Sequence, residues 1–203
     1  MPSTGEGWAP DARVLVGGIG YRNLRDHSVG IAVVERLAVR ECLEAIAVED
    51  VSYNPIALVQ RLEDEAPDRR FGRAVVVGGV SRGGRTPGSV TAYRWDGALP
   101  APEDVQRAVA EAVTGIISLD NTLVIVRHFG ALPEDVAVIE VEPDGGACGP
   151  DGEAFGDALS PAVAGAFDAV CELVGRLATD PARAARLPRA ALGGSRVPAL
   201  ADT

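Results

Sequence analysis

The chain has 203 residues, 47% of them apolar and 4% aromatic, with 19 basic and 29 acidic side chains and a formal net charge of -10. This length fits one large domain or a domain with a tail, and its core has to be built from Val, Ala, Leu and Ile. Every basic residue is arginine, which excludes Schiff-base and Walker-type lysine chemistry, and an acidic chain without a basic stripe is a poor partner for nucleic acid.

Cys42, Cys148 and Cys171 are widely spaced and form no CxxC pair, so neither a disulfide framework nor a zinc ribbon is expected. They read as two buried thiols and one loop thiol. No basic segment followed by an apolar stretch opens the chain, and no apolar run reaches about 18 residues. The expectation is a soluble cytoplasmic protein with no membrane partner.

Residues 1–12 read as a polar lead-in. Arg13–Ile19 reads as a buried strand, and Gly30–Val39 as the helix after it, with Ile31, Val34 and Leu37 on one face. Gly30 reads as a small residue that lets this helix approach the sheet. Leu43–Val48 predicts a second strand that leads into Glu49 and Asp50. Asn54 is a natural helix cap and Pro55 suits the first helical position, with Ile56, Val59 and Leu62 continuing the apolar face. Ala74–Val80 is continuous and β-branched, as a central parallel strand should be. Its end enters the Gly-rich loop Ser81–Gly88, and Ser89–Trp95 reads as an antiparallel edge strand.

Pro102–Val113 predicts a helix with Val105, Val109 and Val113 aligned, and Asp120–Phe129 predicts another, with His128 packed on its apolar face. Val136–Val141 is a strand, followed by an acidic, Gly-rich loop over 142–158. Ser160 and Pro161 cap a long helix whose stripe is Val163, Phe167, Val170, Leu173, Val174 and Leu177. Residues 180–203 are rich in Ala, Pro and Arg and read as a disordered tail. The fold class that follows is α/β: a three-layer α/β/α sandwich with a mostly parallel five-stranded sheet, formed by one domain over residues 13–179.

Polar positions gather where strands end, the usual place for a site in such a sheet. His27 with Asp50 and Asp120 forms a candidate metal set of one nitrogen and two carboxylates, which suits nickel, zinc, manganese or iron. The same carboxylates are alternative orienters for His27 as a general base, so His27, Asp50 and Asp120 are also the candidate catalytic residues. The bland reading is a surface histidine with two capping aspartates. Arg82 and Arg85, in a Gly-rich loop, are candidates to clamp a carboxylate or phosphate, the alternative being a plain solvated loop. The Gly17-Gly-Ile-Gly20 turn is an incomplete nucleotide fingerprint, since Asn23 stands where the third glycine would fall.

The order of these segments resembles that of the hydrogenase maturation endopeptidases, from about Val14 to Leu177. The markers are Val14-Leu-Val-Gly-Gly-Ile-Gly20 with Asp26 and Gly30, Asp50 after the second strand, and Val75-Val-Val-Gly-Gly-Val80 with Pro87-Gly-Ser-Val90. Further along come Leu132-Pro-Glu-Asp-Val136, Ile139-Glu-Val-Glu-Pro143, Phe155-Gly156 and Leu159-Ser-Pro161. The resemblance implies an α/β/α fold and an aspartic-type endopeptidase. Such a hydrolase removes a C-terminal extension from the large-subunit precursor of a nickel-iron hydrogenase, with the nickel presented by that protein substrate as the recognition signal. A metal near the scissile carbonyl polarises it or activates water.

Residue by residue, the resemblance is uneven. The family's Glu after the loop aspartate falls on His27, its Asp at the end of the third strand falls on Gly78, and its His falls on Asp120. Asp26 and the acidic residue Asp50 are kept. The substrate loop implied is Asp26, Gly78, Arg82 and Arg85. Three readings stay open: a swapped site resting on His27, Asp120 and Asp50; a noncatalytic relative acting as a binding or assembly protein; and a small-molecule enzyme using His27 with Arg82 and Arg85.

Overall fold

The computed structural model describes residues 13–39, 45–145 and 155–193. The elements run β1 (Arg13–Ile19), α1 (Val29–Ala38), β2 (Ile46–Asp50), α2 (Pro55–Glu63), β3 (Phe71–Gly79) and β4 (Val90–Trp95). They continue with α3 (Pro102–Val113), α4 (Leu119–His128), β5 (Asp135–Val141), α5 (Pro161–Thr179), α6 (Pro181–Ala185) and β6 (Arg189–Ala190).

The sheet order is β2-β1-β3-β5-β4-β6. The first four strands are mutually parallel, β4 runs antiparallel to β5, and β6 lies parallel to β4. The architecture is an α/β/α sandwich on a mixed sheet, but the expected five strands are six. The sixth is β6, which lies in the stretch expected to be a disordered tail, as does α6. Its physical reason is the outer edge of β4, whose backbone donors need partners. Arg94 N–H donates to the Pro188 carbonyl at 2.8 Å and Asp96 N–H to the Ala190 carbonyl at 2.9 Å. The lead-in 1–12, Cys42, Cys148 and residues 194–203 lie outside the described residues.

Alternation along the strands builds two cores. On one face Val75, Val77, Ala137 and Ile139 pack with Val33 and Leu37 of α1 and Val170, Val174 and Leu177 of α5. On the other, Val76, Val136, Val138 and Tyr93 pack with Leu58 and Leu62 of α2 and Leu119, Leu123 and Val126 of α4. A third, smaller cluster joins α3 to α4 through Val105, Ala108, Ala112, Val124 and Ile125. The buried face of α3 is therefore Val105, Ala108 and Ala112, while Val113 is exposed. His128 is also exposed rather than packed in the core; its ring meets Phe129 edge-on at 5.3 Å. Cys171 is a buried free thiol on α5.

Asn54 caps α2 by accepting the Ile56 N–H, with Pro55 at the first position, and Ser160 caps α5 by accepting the Val163 N–H. The close approach expected at Gly30 is real. A Cβ there would fall 2.4 Å from the carbonyl oxygens of Ile19 and Val77, so α1 packs on β1 and β3 through bare backbone. Among the described residues no helix is long and apolar enough to cross a membrane.

Candidate functional site

The chain leaves β1 toward α1 and β2, and leaves β3 in the opposite direction toward β4 and β5. That divergence is a topological switch point, the position where open α/β sheets bind ligands. Here a 3-10 turn, Arg25–Ser28, lies across it. A Cβ on Gly20 would meet the His27 carbonyl oxygen at 2.2 Å, and one on Gly79 would meet the Asp26 carbonyl oxygen at 2.5 Å. The two glycines admit the turn directly onto the strand ends. Asn23 and Arg25 adopt φ of 61° and 45°, a left-handed conformation that non-glycine residues rarely hold. The loop is locked by paired backbone bonds, Arg25 N–H to the Gly156 carbonyl at 2.9 Å and Gly156 N–H to the Asn23 carbonyl at 2.8 Å.

Asp26 is 3% exposed and ties this turn to the next layer. Its carboxylate accepts the Ser160 N–H at 2.6 Å and the Asp144 N–H at 2.9 Å. It thereby joins the β1–α1 loop to the segment after β5 and to the start of α5.

Beside β3 stands a second cluster built around Glu140, which is fully buried on β5. Register pairs Glu140 with Gly78 of β3 on one side and Thr91 of β4 on the other. Its carboxylate accepts from Arg82 Nη2 at 2.5 Å, Arg82 Nε at 3.3 Å, Arg85 Nη1 at 2.6 Å and the Tyr93 hydroxyl at 2.7 Å. Arg82 also grips Asp120 at the start of α4 with both terminal nitrogens, at 2.6 and 2.7 Å. The Arg82 N–H donates to both oxygens of Glu142, at 3.1 and 3.0 Å. Two guanidinium groups and three carboxylates are thus joined in one network, the arrangement that makes a buried charge tolerable.

Burial works against the Arg82 charge, yet Asp120 and Glu140 outweigh it and its pKa is raised. Burial likewise favours the neutral acid at Glu140, but Arg82, Arg85 and the Tyr93 hydroxyl hold it below the ordinary glutamate value. Burial and the Glu140 charge push the Tyr93 phenol well above its usual range. Arg82 and Glu140 are thus held in their charged forms, with Tyr93 as a neutral donor.

The candidate residues divide between these surroundings. Asp50 ends β2, where it accepts the Ser52 N–H at 3.0 Å and Arg22 Nη2 at 2.7 Å. Burial opposes its charge, but Ser52 and Arg22 prevail and its pKa is lowered. Asp120 is engaged by Arg82. His27 is half-buried on the 3-10 turn, and its imidazole has no hydrogen-bond partner among the described residues. Among the described residues no three His, Cys, Asp or Glu side chains group to hold a metal ion, so His27, Asp50 and Asp120 do not assemble into one set. Gly78 faces α4, where a Cβ would stand 3.0 Å from the Ile19 carbonyl oxygen and 3.1 Å from Leu119 Cδ1. A side chain at this position would press on Leu119.

The sequence offers Arg82 and Arg85 as a clamp for a carboxylate or phosphate, or as a plain solvated loop. The structure supplies that carboxylate from within the chain, as Glu140 and Asp120. Glu140 and Tyr93 had not been singled out. The signal for Glu140 is one charge in the otherwise apolar run Val136–Val141, on the strand face that also carries Val136 and Val138.

An α/β/α sandwich with its polar groups at the strand ends beside a β1–β3 switch point is the class of protein defined so far. Solved structures sharing that fold are hydrogenase maturation endopeptidases. The hydrogenase 2 maturation peptidase of a Thaumarchaeota archaeon aligns with a TM-score of 0.55 at 22% identity, over 83% of this chain and 99% of that one. The endopeptidase HybD of E. coli aligns with a TM-score of 0.53 at 18% identity, over 87% and 95%. The protease HycI of Thermococcus kodakarensis aligns with a TM-score of 0.53 at 14% identity, over 83% and 94%. At these identities the likeness is one of fold. No protein-family model matches the chain, and no curated protein does.

Proposed function

We propose that this chain is a maturation-endopeptidase-like protein that binds a hydrogenase large-subunit precursor, or a related metalloprotein, without cutting it. The supporting observation is the Arg82 clasp. Both Asp120 oxygens already accept a guanidinium N–H, and Glu140, the buried carboxylate beside Gly78, accepts from Arg82, Arg85 and Tyr93. A carboxylate engages a cation through free lone pairs; those of Glu140 are taken by four donors, while each Asp120 oxygen is already turned to Arg82. A metal approaching Asp120 also meets the resident positive charge of Arg82. On this reading the partner docks on the shared fold, and Asp120 and Glu140 are engaged by Arg82 and Arg85 instead of a substrate-borne nickel.

A second reading, a processing enzyme with a shifted site, is favoured by one observation: the His27 imidazole is unpartnered among the described residues, on a turn whose backbone lies against the strand ends at Gly20 and Gly79. The two readings separate in a binding assay with nickel-loaded large-subunit precursor, run with the native chain and with His27→Ala. The binding reading expects a complex with both proteins and precursor of unchanged mass. Shortened precursor that disappears with His27→Ala would establish the processing enzyme instead. No complex with either protein would reject the partner named here.

A further inference from the structure

The outer edge of β4 is closed by six residues, Pro188–Gly193, that make peptide-like contacts. Their carbonyls accept the Arg94 and Asp96 N–H groups at 2.8 and 2.9 Å. The Gly193 N–H donates to the Tyr93 hydroxyl at 3.2 Å, and Arg85 Nη2 donates to the Gly193 carbonyl at 3.0 Å. Leu192 packs part-buried against the α2/α4 core and the α3–α4 cluster, with Ala190 on the former. Gly193 holds φ at 89°, which a side chain would strain. These contacts read backbone groups at alternate positions together with one apolar anchor and one glycine. That is how an extended peptide is recognised when it adds to a sheet edge.

The segment is also thin. None of residues 185–193 is buried, and only Arg189 and Ala190 form strand pairs. Little apolar surface opposes its release, so its opening should precede global unfolding. Its two polar anchors, Arg85 and Tyr93, are also the groups that hold Glu140.

We infer that the β4 edge, with Tyr93 and Arg85, is a peptide-binding site occupied in cis by residues 188–193. An extended segment of the protein partner binds there by strand addition once the cis segment is displaced. The segment that fits carries a small residue in the place of Ala190, an apolar residue in the place of Leu192 and a glycine in the place of Gly193. This rests on the partner-binding reading above and specifies the surface it uses.

The test uses the full chain and the full chain carrying Gly193→Pro. Proline removes the N–H given to Tyr93 and cannot take a positive φ, and it lies in the exposed segment rather than the core. The probe is a synthetic peptide of residues 187–193, followed by amide chemical shifts on β4. The peptide is expected to bind Gly193→Pro at least tenfold more tightly than the native chain, shifting Arg94 and Asp96. Adding Arg85→Ala should reduce that binding about tenfold. In the native chain, the Arg94 and Asp96 amides should exchange with solvent at least tenfold faster than the amides of β3. Equal or absent peptide binding by both chains, or exchange of Arg94 and Asp96 only with global unfolding, would overturn the inference. Precursor binding that persists when the peptide fails would leave the partner reading standing and remove this surface from it.

Discussion

Two polar clusters flank the switch point, and they hold charge under opposite conditions. Toward β2, Arg22 bridges Glu35 and Asp50 with its own side chain 59% exposed. Toward β5, Glu140 is 0% exposed and is held by Arg82, Arg85 and Tyr93. Water solvates and screens the first cluster, so its partners are exchangeable. At Glu140 the second has no water to fall back on and that charge is satisfied from within, while its Asp120 end stays 34% exposed. The same side-chain types therefore yield an open rim on one side and a sealed network on the other.

The largest effect expected is at Glu140. Glu140→Gln leaves two guanidinium groups facing a neutral amide and should cost about 3–5 kcal/mol in denaturant unfolding. A cost below about 1 kcal/mol would mean that the network is not sealed. The acid limb of stability sharpens the same point. The folded-state pKa of Glu140 is lowered, so its contribution is present above the ordinary carboxylate value of about 4.3 and is lost as pH falls through the folded value. At Asp135, burial outweighs Arg94 and Arg73 and raises the pKa, so this group contributes in the opposite direction, gaining stability as pH falls. Unfolding measured across acid pH should show a flatter loss for Glu140→Gln and a steeper one for Asp135→Asn.

Asp26 comes next. Asp26→Ala removes the acceptor for the Ser160 and Asp144 N–H groups and should cost about 1–3 kcal/mol, with faster hydrogen exchange at both amides. Gly78→Asp tests the crowded position beside Glu140. With a Cβ 3.1 Å from Leu119 Cδ1, the substitution should destabilise by about 1–3 kcal/mol, and Leu119→Ala in the same chain should return part of the loss. The smallest effect is expected on the open side, where Arg22→Ala should leave the melting temperature unchanged within error. A clear drop there would erase the contrast between the two clusters.

Most of the layer order was legible in the sequence, because apolar periodicity and cap residues act locally. The run Ala74–Val80, the Asn54-Pro55 start and the Ser160-Pro161 start each carry their own physical cause. The sixth strand was not legible. Arg189 and Ala190 have no strand propensity of their own, and they pair because β4 offers an open edge. The site was legible only as an inventory. Arg82 and Arg85 were visible as a clamp for a carboxylate or phosphate, and Asp120 as a polar group near a helix start. That the clamp closes on Glu140 follows from the register between β3, β5 and β4, and on Asp120 from the packing of α4 on the sheet, long-range contacts that no local pattern encodes. His128 misled for a related reason: it lies next to apolar residues in sequence but on the last turn of α4, where the helix leaves the core.

The most direct measurement is the intact mass of a nickel-loaded large-subunit precursor after incubation with this chain, beside a parallel incubation with an active maturation endopeptidase. The account predicts that the endopeptidase shortens the precursor, while this chain binds it and leaves its mass unchanged. Loss of a C-terminal peptide in the presence of this chain would contradict the claim that Asp120 and Glu140 are engaged by Arg82 and Arg85 in place of a substrate-borne metal.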